Sequence, residues 1–308
     1  MPEVAEGRVI RSVGSSTRVE TPEGKRYDCI VRGKFRIKDL NTTNPVAVGD
    51  QVRFQVPEEV EQPGVIIELL PRKNYLLRKA ISHGRKVHIL AANVDQAVLV
   101  FTVDHPATST GFANRFLVVA EGYHIPVTIL FNKTDLLTNE AQQAQLQELM
   151  DLYEKIGYPV HAVNALDPAY QSKIQDIFKD QLSFIGGHSG AGKSTIINLL
   201  APDLQLKTSD ISGSTNKGRH TTTYAEMFAL PEGGYLIDSP GIKELGITGF
   251  DKSDLSHYFP EMRERMADCK FSNCTHTREP KCAVKAALET GEIHPSRYDS
   301  YLRMLEEV

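Results

Sequence analysis

Residues 182–200 read LSFIGGHSGAGKSTIINLL: an apolar run, a glycine-rich turn and the opening turns of a helix. Gly187 to Ser194 fits the spacing G-x-x-x-x-G-K-[ST] of a phosphate-binding loop. A strand before the loop and a helix after it are what the chemistry requires. Glycines let successive backbone N–H groups converge on phosphate oxygens, and the helix N-terminus adds the positive end of its dipole. On this reading Gly187, His188, Ser189, Gly190, Ala191, Gly192, Lys193, Ser194 and Thr195 contact a nucleotide. Lys193 reaches the β- and γ-phosphates, and Ser194 offers its hydroxyl to Mg²⁺. A purely structural glycine turn would not need Lys193.

Working outward, residues 96–104 (QAVLVFTVD) and 126–135 (PVTILFNKTD) are dense apolar strands separated by the helix-like FANRFLVVAEGYH. A polar helical stretch, NEAQQAQLQELMDLYEKIG, follows and leads into YPVHAVNA. Strands alternating with helices imply a parallel sheet, with ligands at the carboxyl ends of its strands. Asn132-Lys133-Thr134-Asp135 falls at such an end. A carboxylate there accepts hydrogen bonds from the ring N–H and the exocyclic amine of guanine, a donor pair that adenine lacks. Asn132 supports the base from its other edge, the stem of Lys133 covers the ring, and Asn164 and Ala165 offer backbone N–H groups to the guanine carbonyl.

Downstream, YLIDSPG places Asp238 at a strand end as a Mg²⁺ partner and leaves Gly241 free to turn its N–H toward a γ-phosphate. Residues 213–223 (GSTNKGRHTTT) carry no apolar side chain to bury and read as a mobile switch loop. One of Thr221, Thr222 and Thr223, here taken as Thr222, ligates Mg²⁺ when the γ-phosphate is present. An ordinary GTPase runs phosphate loop, switch threonine, DxxG, NKxD and base loop. Here NKTD and VNA precede the phosphate loop, so the domain is circularly permuted.

The flanks differ in grammar. Residues 6–71 give about five short strands broken by turns, the size of an OB-fold, with an SH3-like barrel nearly as compatible on spacing. From about Phe250 the strands are lost. Cys269-x₄-Cys274-x-His276-x₅-Cys282 supplies three thiolates and an imidazole, a closed shell for structural Zn²⁺; the competing reading is one disulfide plus a stray thiol. Cys29 stands apart as a buried thiol.

The chain has 308 residues, 41% hydrophobic and 24% charged, with a net charge of -4, which fits an ordinary globular protein of two or three domains and excludes a polycation. No apolar run approaches the roughly 20 residues of a membrane helix, and the acidic N-terminus lacks the pattern of a secretion signal. A cytoplasmic monomer without membrane contact is expected. The net charge hides a local excess: Arg72, Lys73, Arg78, Lys79, Arg85 and Lys86 occur without an acidic neighbour, and Arg32, Lys34, Arg36 and Lys38 add to it. Such stretches either neutralise RNA phosphates or form a solvated linker.

NKTD, GGHSGAGKST, GRHTTT, DSPG and the terminal Cys/His cluster, in that order, give the chain a resemblance over essentially its whole length to the bacterial ribosome small-subunit-dependent GTPase A family. Ser239 and Ala191 stand where that family often has Thr and Val. The resemblance implies an OB-fold barrel (1–72), a circularly permuted α/β P-loop GTPase domain (73–248, with a basic connector at 73–92) and a mainly α zinc-binding domain (249–308). It also implies GTP and GDP as ligands, docking on the small ribosomal subunit and its 16S rRNA, a late maturation step and release of another assembly factor. Ras-like proteins position water with a glutamine after DxxG; Ile242 cannot, so slow intrinsic turnover is expected. His220 is the substitute candidate, against its reading as a solvated or RNA-facing residue.

Overall fold

The computed structural model describes residues 3–14, 16–31, 45–57, 59, 62–79, 87–204, 226–238 and 250–308, and for Arg78, Lys79, Val87, His88, Glu226 and Asp238 the backbone alone. His220, Thr221 to Thr223, Ser239, Gly241, Ile242, Arg32, Lys34, Arg36, Lys38, Arg85 and Lys86 lie outside the described residues.

Five strands form the N-terminal module: β1 (Val4–Val13), β2 (Ser16–Glu20), β3 (Arg26–Val31), β4 (Gln51–Gln55) and β5 (Gly64–Leu69). Their pairing runs β1-β2-β3-β5-β4 and returns to β1, with β3 and β5 parallel and the other pairs antiparallel, so the sheet closes into an OB-like barrel. Alternation along each strand does the closing. In β4, Val52 and Phe54 are fully buried while Arg53 faces out between Glu6 and Glu68 at 2.8 Å each. Val9, Val19, Cys29 and Ile66 complete the barrel core. Burial pushes the Cys29 thiol up to about 12, which keeps it protonated and inert.

The stretch read as a basic connector is a β-ribbon, β6 (Tyr75–Lys79) paired antiparallel with β7 (Val87–Ala92). Two of its expected phosphate-binding cations are already committed. Arg72 makes a bidentate pair with the fully buried Asp50 at 2.6 Å and also donates to Pro45 O. Lys73 is paired with Asp95. Charge counted along the sequence could not distinguish a solvated guanidinium from one that pins the segment leading into β4.

The central domain contains β8 (Gln96–Phe101), α1 (Thr110–Gly122), β9 (Val127–Phe131), α2 (Glu140–Ile156), β10 (Val160–Ala162), α3 (Gln171–Phe178), β11 (Leu182–Gly187), α4 (Lys193–Leu200), β12 (Glu226–Ala229) and β13 (Tyr235–Asp238). Its strand order is β10-β9-β8-β11-β13-β12, parallel except for the edge strand β12. Every residue of β8 and β11 is buried, as a sheet covered on both faces demands. Alternate residues serve opposite faces: Ala97, Leu99 and Phe101 join Phe116, Leu117 and Tyr153, whereas Val98 and Val100 join Ile174, Phe178, Ile196 and Leu200. The helix ends obey local chemistry. Asn139 caps α2 by accepting from Gln142 N at 2.9 Å, and Gly157 ends it in the left-handed region at φ 108.

The barrel and this sheet are continuous, because β1 also pairs with β12 at Arg11 and Glu226. Beside that seam the Tyr235 hydroxyl donates to Glu20, which also accepts from Arg26 Nε at 2.8 Å. The C-terminal module, α5 (Pro260–Arg263), α6 (Ala283–Glu289) and α7 (Pro295–Glu307), shares the α1 core through Leu255, Phe259, Met262 and Tyr301. At its centre Arg297 is fully buried, bonded to Glu261 at 2.6 and 3.1 Å and to Asn114 Oδ1 of α1 at 3.1 Å. Burial alone would cost the guanidinium several kcal/mol, and these bonds offset that cost. Among the described residues no helix is long and apolar enough to cross a membrane.

Candidate nucleotide site and metal centre

Three segments meet at the carboxyl edge of the parallel sheet. Register brings them there: Gly187 lies beside Val100 in β8, and Phe131 beside Phe101, so the loops after β9 and β11 start at one level. Gly187 has φ 150, and a Cβ there would sit 2.4 Å from Val100 O. The phosphate loop runs from His188 to Gly192 and delivers Lys193 and Ser194 to the first turn of α4, both largely buried. Gly192 caps that helix at φ 97, and a Cβ on it would fall 2.2 Å from Asn132 Nδ2. The Lys193 ammonium donates to Gly187 O at 2.8 Å and to His188 O at 2.7 Å. A nucleotide phosphate offers it a charged acceptor at the same mouth, so the loop fits the group expected of it.

Asn132 connects the phosphate loop to the base loop. Its Nδ2 donates to Ala191 O at 2.9 Å, and its Oδ1 accepts from Ala165 N at 3.0 Å. The expected contact of Ala165 with a guanine carbonyl is therefore modified: that N–H is held by Asn132 and meets a base only as a shared donor. Asn164 accepts from Leu166 N at 3.0 Å and shapes the turn, while Thr134 spends its hydroxyl on Val163 O at 3.2 Å. Lys133 adopts the left-handed region, φ 61, and donates to His105 O at 2.6 Å. Asp135 is exposed at the start of the following turn, where a base can reach it. Asp238 ends β13 at the same edge of the sheet.

The loop between β8 and α1 also belongs to this site, and motif spacing did not single it out. Besides His105, it brings Pro106 to within 3.1 Å of where a Gly190 Cβ would stand, and Phe112 packs its ring edge against His188 with centroids 4.8 Å apart. Its position after an apolar parallel strand was the available signal.

The metal ligands expected in the C-terminal module are gathered. The donor atoms of Cys269, Cys274, His276 and Cys282 all lie within 4.8 Å of one another. His276 Nδ1 is 3.6 Å from Cys269 Sγ and 3.4 Å from Cys282 Sγ, and those two sulphurs are 4.0 Å apart. A tetrahedral Zn²⁺ shell has donor separations of about 3.5–3.8 Å, whereas a disulfide needs about 2.05 Å. The buried His276 Nε2 has no hydrogen-bond partner, so the ring is held by its backbone and neighbours rather than by a carboxylate behind it. The Tyr298 hydroxyl donates to His276 O and the Tyr301 hydroxyl to Thr275 O, both at 2.6 Å. Burial pushes the Cys274 thiol up to about 12 and raises Cys282 as well. Neutral thiols must therefore release their protons to solvent when a cation binds.

Asn132→Ala removes both bridges and leaves Ala191 O and Ala165 N unpaired. At about 1–3 kcal/mol for each buried orphan, GDP affinity measured with a fluorescent analogue falls at least about tenfold. For the cluster, elemental analysis of protein purified without chelator gives about one metal ion per chain, and Cys282→Ala loses it. Because binding releases thiol protons, metal affinity weakens as pH falls.

A family model described as RsgA GTPase matches residues 69–248, and one described as RsgA N-terminal domain matches residues 6–66. The chain is 46% identical over 302 residues to the protein named Small ribosomal subunit biogenesis GTPase RsgA from Christiangramia forsetii, covering 98% of this chain and 96% of that one. Its likeness to the protein of the same name from Bacteroides fragilis is 47% over 301 residues, with the same coverage. Among solved structures, YjeQ from Thermotoga maritima superposes with a TM-score of 0.81 at 35% identity, covering 99% of this chain and 98% of that one. YloQ, described as a circularly permuted GTPase, gives 0.78 at 31% identity, covering 99% and 95%. With its OB-like barrel, permuted nucleotide domain and helical Cys/His module, this chain belongs to the RsgA GTPase family.

Proposed function

We propose that this GTPase acts in late maturation of the small ribosomal subunit, docking on 16S rRNA in its GTP state and leaving after hydrolysis, with release of another assembly factor as part of that step. The observation that carries the proposal is the full-length match, barrel and Cys/His module included, to relatives named small ribosomal subunit biogenesis GTPase. The functional units are residues 1–72, 73–248 and 249–308, working as a cytoplasmic monomer.

In the hydrolysis step water attacks the γ-phosphorus, the bond to the β–γ bridging oxygen breaks, and GDP departs with that oxygen. Asp135 reads the guanine edge, with Asn132, Lys133, Thr134, Asn164 and Ala165 holding the base pocket. The phosphate loop from Gly187 to Thr195 cradles the phosphates, and Lys193 compensates charge that builds on the bridging oxygen. Ser194, Thr222 and Asp238 would hold Mg²⁺, which would supply charge neutralisation for the phosphates. Gly241, in the DSPG segment, is the residue assigned to the γ-phosphate by its motif. His220 orients the water when a small subunit is bound, which makes turnover slow without one. Cys269, Cys274, His276 and Cys282 hold a structural Zn²⁺.

Co-sedimentation tests the docking. The protein with a non-hydrolysable GTP analogue pellets with purified small subunits and not with large ones, and exchange into GDP releases it. Equal binding to both subunits, or binding indifferent to the nucleotide, contradicts the proposal.

A further inference from the structure

The loop between the first two cysteines of the cluster, Lys270-Phe271-Ser272-Asn273, projects the one phenylalanine found among the exposed large hydrophobic residues described. A single exposed apolar side chain needs no explanation by itself. Phe271 differs in its surroundings. Cys269 and Cys274 anchor the loop at both ends, and Cys274 N donates back to Phe271 O at 3.2 Å, closing a tight turn. Lys270 N donates to Lys281 O at 3.2 Å, which fixes the tip against the segment leading into Cys282. The ring, 39% exposed, is thus mounted on a doubly tethered turn.

One cation is placed over the ring, while the exposed Asp268 precedes Cys269 at the base of the loop. The Lys270 ammonium stands 5.2 Å from the Phe271 ring centroid, and Arg278 and Lys281 are exposed nearby in sequence. Glu279, the one carboxylate between Cys269 and Cys282, is turned inward: it accepts from the Thr275 hydroxyl at 2.7 Å and from Thr275, Thr277 and Arg278 N at 2.8–3.0 Å. Those bonds, led by the Thr275 hydroxyl, pull it down to about 2, so it is saturated with donors and poorly placed to pair with the lysines. A partly exposed aromatic ring beside cations suits a flat, electron-rich ring system that carries a negative charge one bond network away, which describes a nucleotide unit.

We propose that Phe271, with Lys270 and Lys281, is a stacking platform for an unpaired base in a single-stranded RNA segment. The proposal rests on the reading of the flanking modules as RNA-docking units and assigns to the C-terminal one a preference for unpaired nucleotides. Duplex RNA keeps its base faces stacked internally and gives Phe271 nothing to cover, whereas a protein partner would place an apolar side chain over the ring and gain little from the lysines.

Fluorescence anisotropy of the full-length, metal-loaded protein with a short labelled single-stranded RNA, and with a blunt duplex of the same sequence, tests this. Phe271→Ala should weaken single-strand binding about tenfold and leave duplex binding unchanged, and Phe271→Trp should restore it. Metal content and basal GTP turnover should match wild type in both variants, showing that the module is folded. Unchanged single-strand affinity in Phe271→Ala overturns the platform and leaves the broader RNA reading standing. An equal loss on both RNAs, or no rescue by Trp, also overturns it. Absence of binding to either RNA by the wild type overturns the platform together with the RNA reading.

Discussion

The arrangement of the site depends on one amide side chain. Asn132 holds Ala191 O with its nitrogen and Ala165 N with its oxygen, so the phosphate loop, the NKTD segment and the base loop keep a fixed spacing. In the proposed function that spacing is what lets one ligand be read at both ends, by its base and by its phosphates. The chain connection between these segments is free to change as long as the contact survives. Here residues 132 and 165 precede 191 in the chain, yet the strand order β10-β9-β8-β11-β13-β12 places them where a nucleotide needs them. Gly192 enforces the same contact from the other side, since a Cβ would strike the Asn132 amide. Circular permutation therefore costs the site nothing and moves the chain ends to new neighbours.

Those neighbours are physically coupled to the nucleotide edge. Helix α1 packs Phe116 where a Gly186 Cβ would stand 2.2 Å from its ring, and touches His188 through Phe112. On its far side Asn114 meets Arg297, and Arg115 is paired with Glu307. The helix therefore lies between the phosphate loop and α7, close-packed on one side and bound on the other through the buried Asn114–Arg297 hydrogen bond and the partly exposed Arg115–Glu307 pair. A displacement at the loop meets rigid neighbours rather than solvent. Beside β11, β13 begins at Tyr235, which donates to Glu20 of the barrel, and ends at Asp238 at the nucleotide edge.

Much of this is legible in the sequence because it rests on local rules. Short alternating strands point to the barrel, unbroken apolar runs mark β8 and β11, and the spacing of Gly187, Gly192 and Lys193 has few other uses. The order of NKTD and the phosphate loop along the chain is enough to reveal the permutation. The cysteine spacing points to four ligands that the fold does bring together. What escapes depends on partners distant in sequence. Arg72 reads as a solvated cation until Asp50 is seen buried against it, and residues 75–92 read as a connector until their strands pair. Nothing local in β1 announces that its far edge will join β12, and Lys133 gives no hint that its ammonium rests on His105 O.

In the proposed function a guanine nucleotide is hydrolysed at this permuted edge under the control of a ribosomal partner. Phosphate release from GTP and from ATP, alone and with purified small or large subunits, measures this. Slow GTP turnover alone, marked stimulation by small subunits and none by large ones, and no ATP turnover in any case are expected. Fast unstimulated turnover, or ATP hydrolysed as readily as GTP, would contradict it.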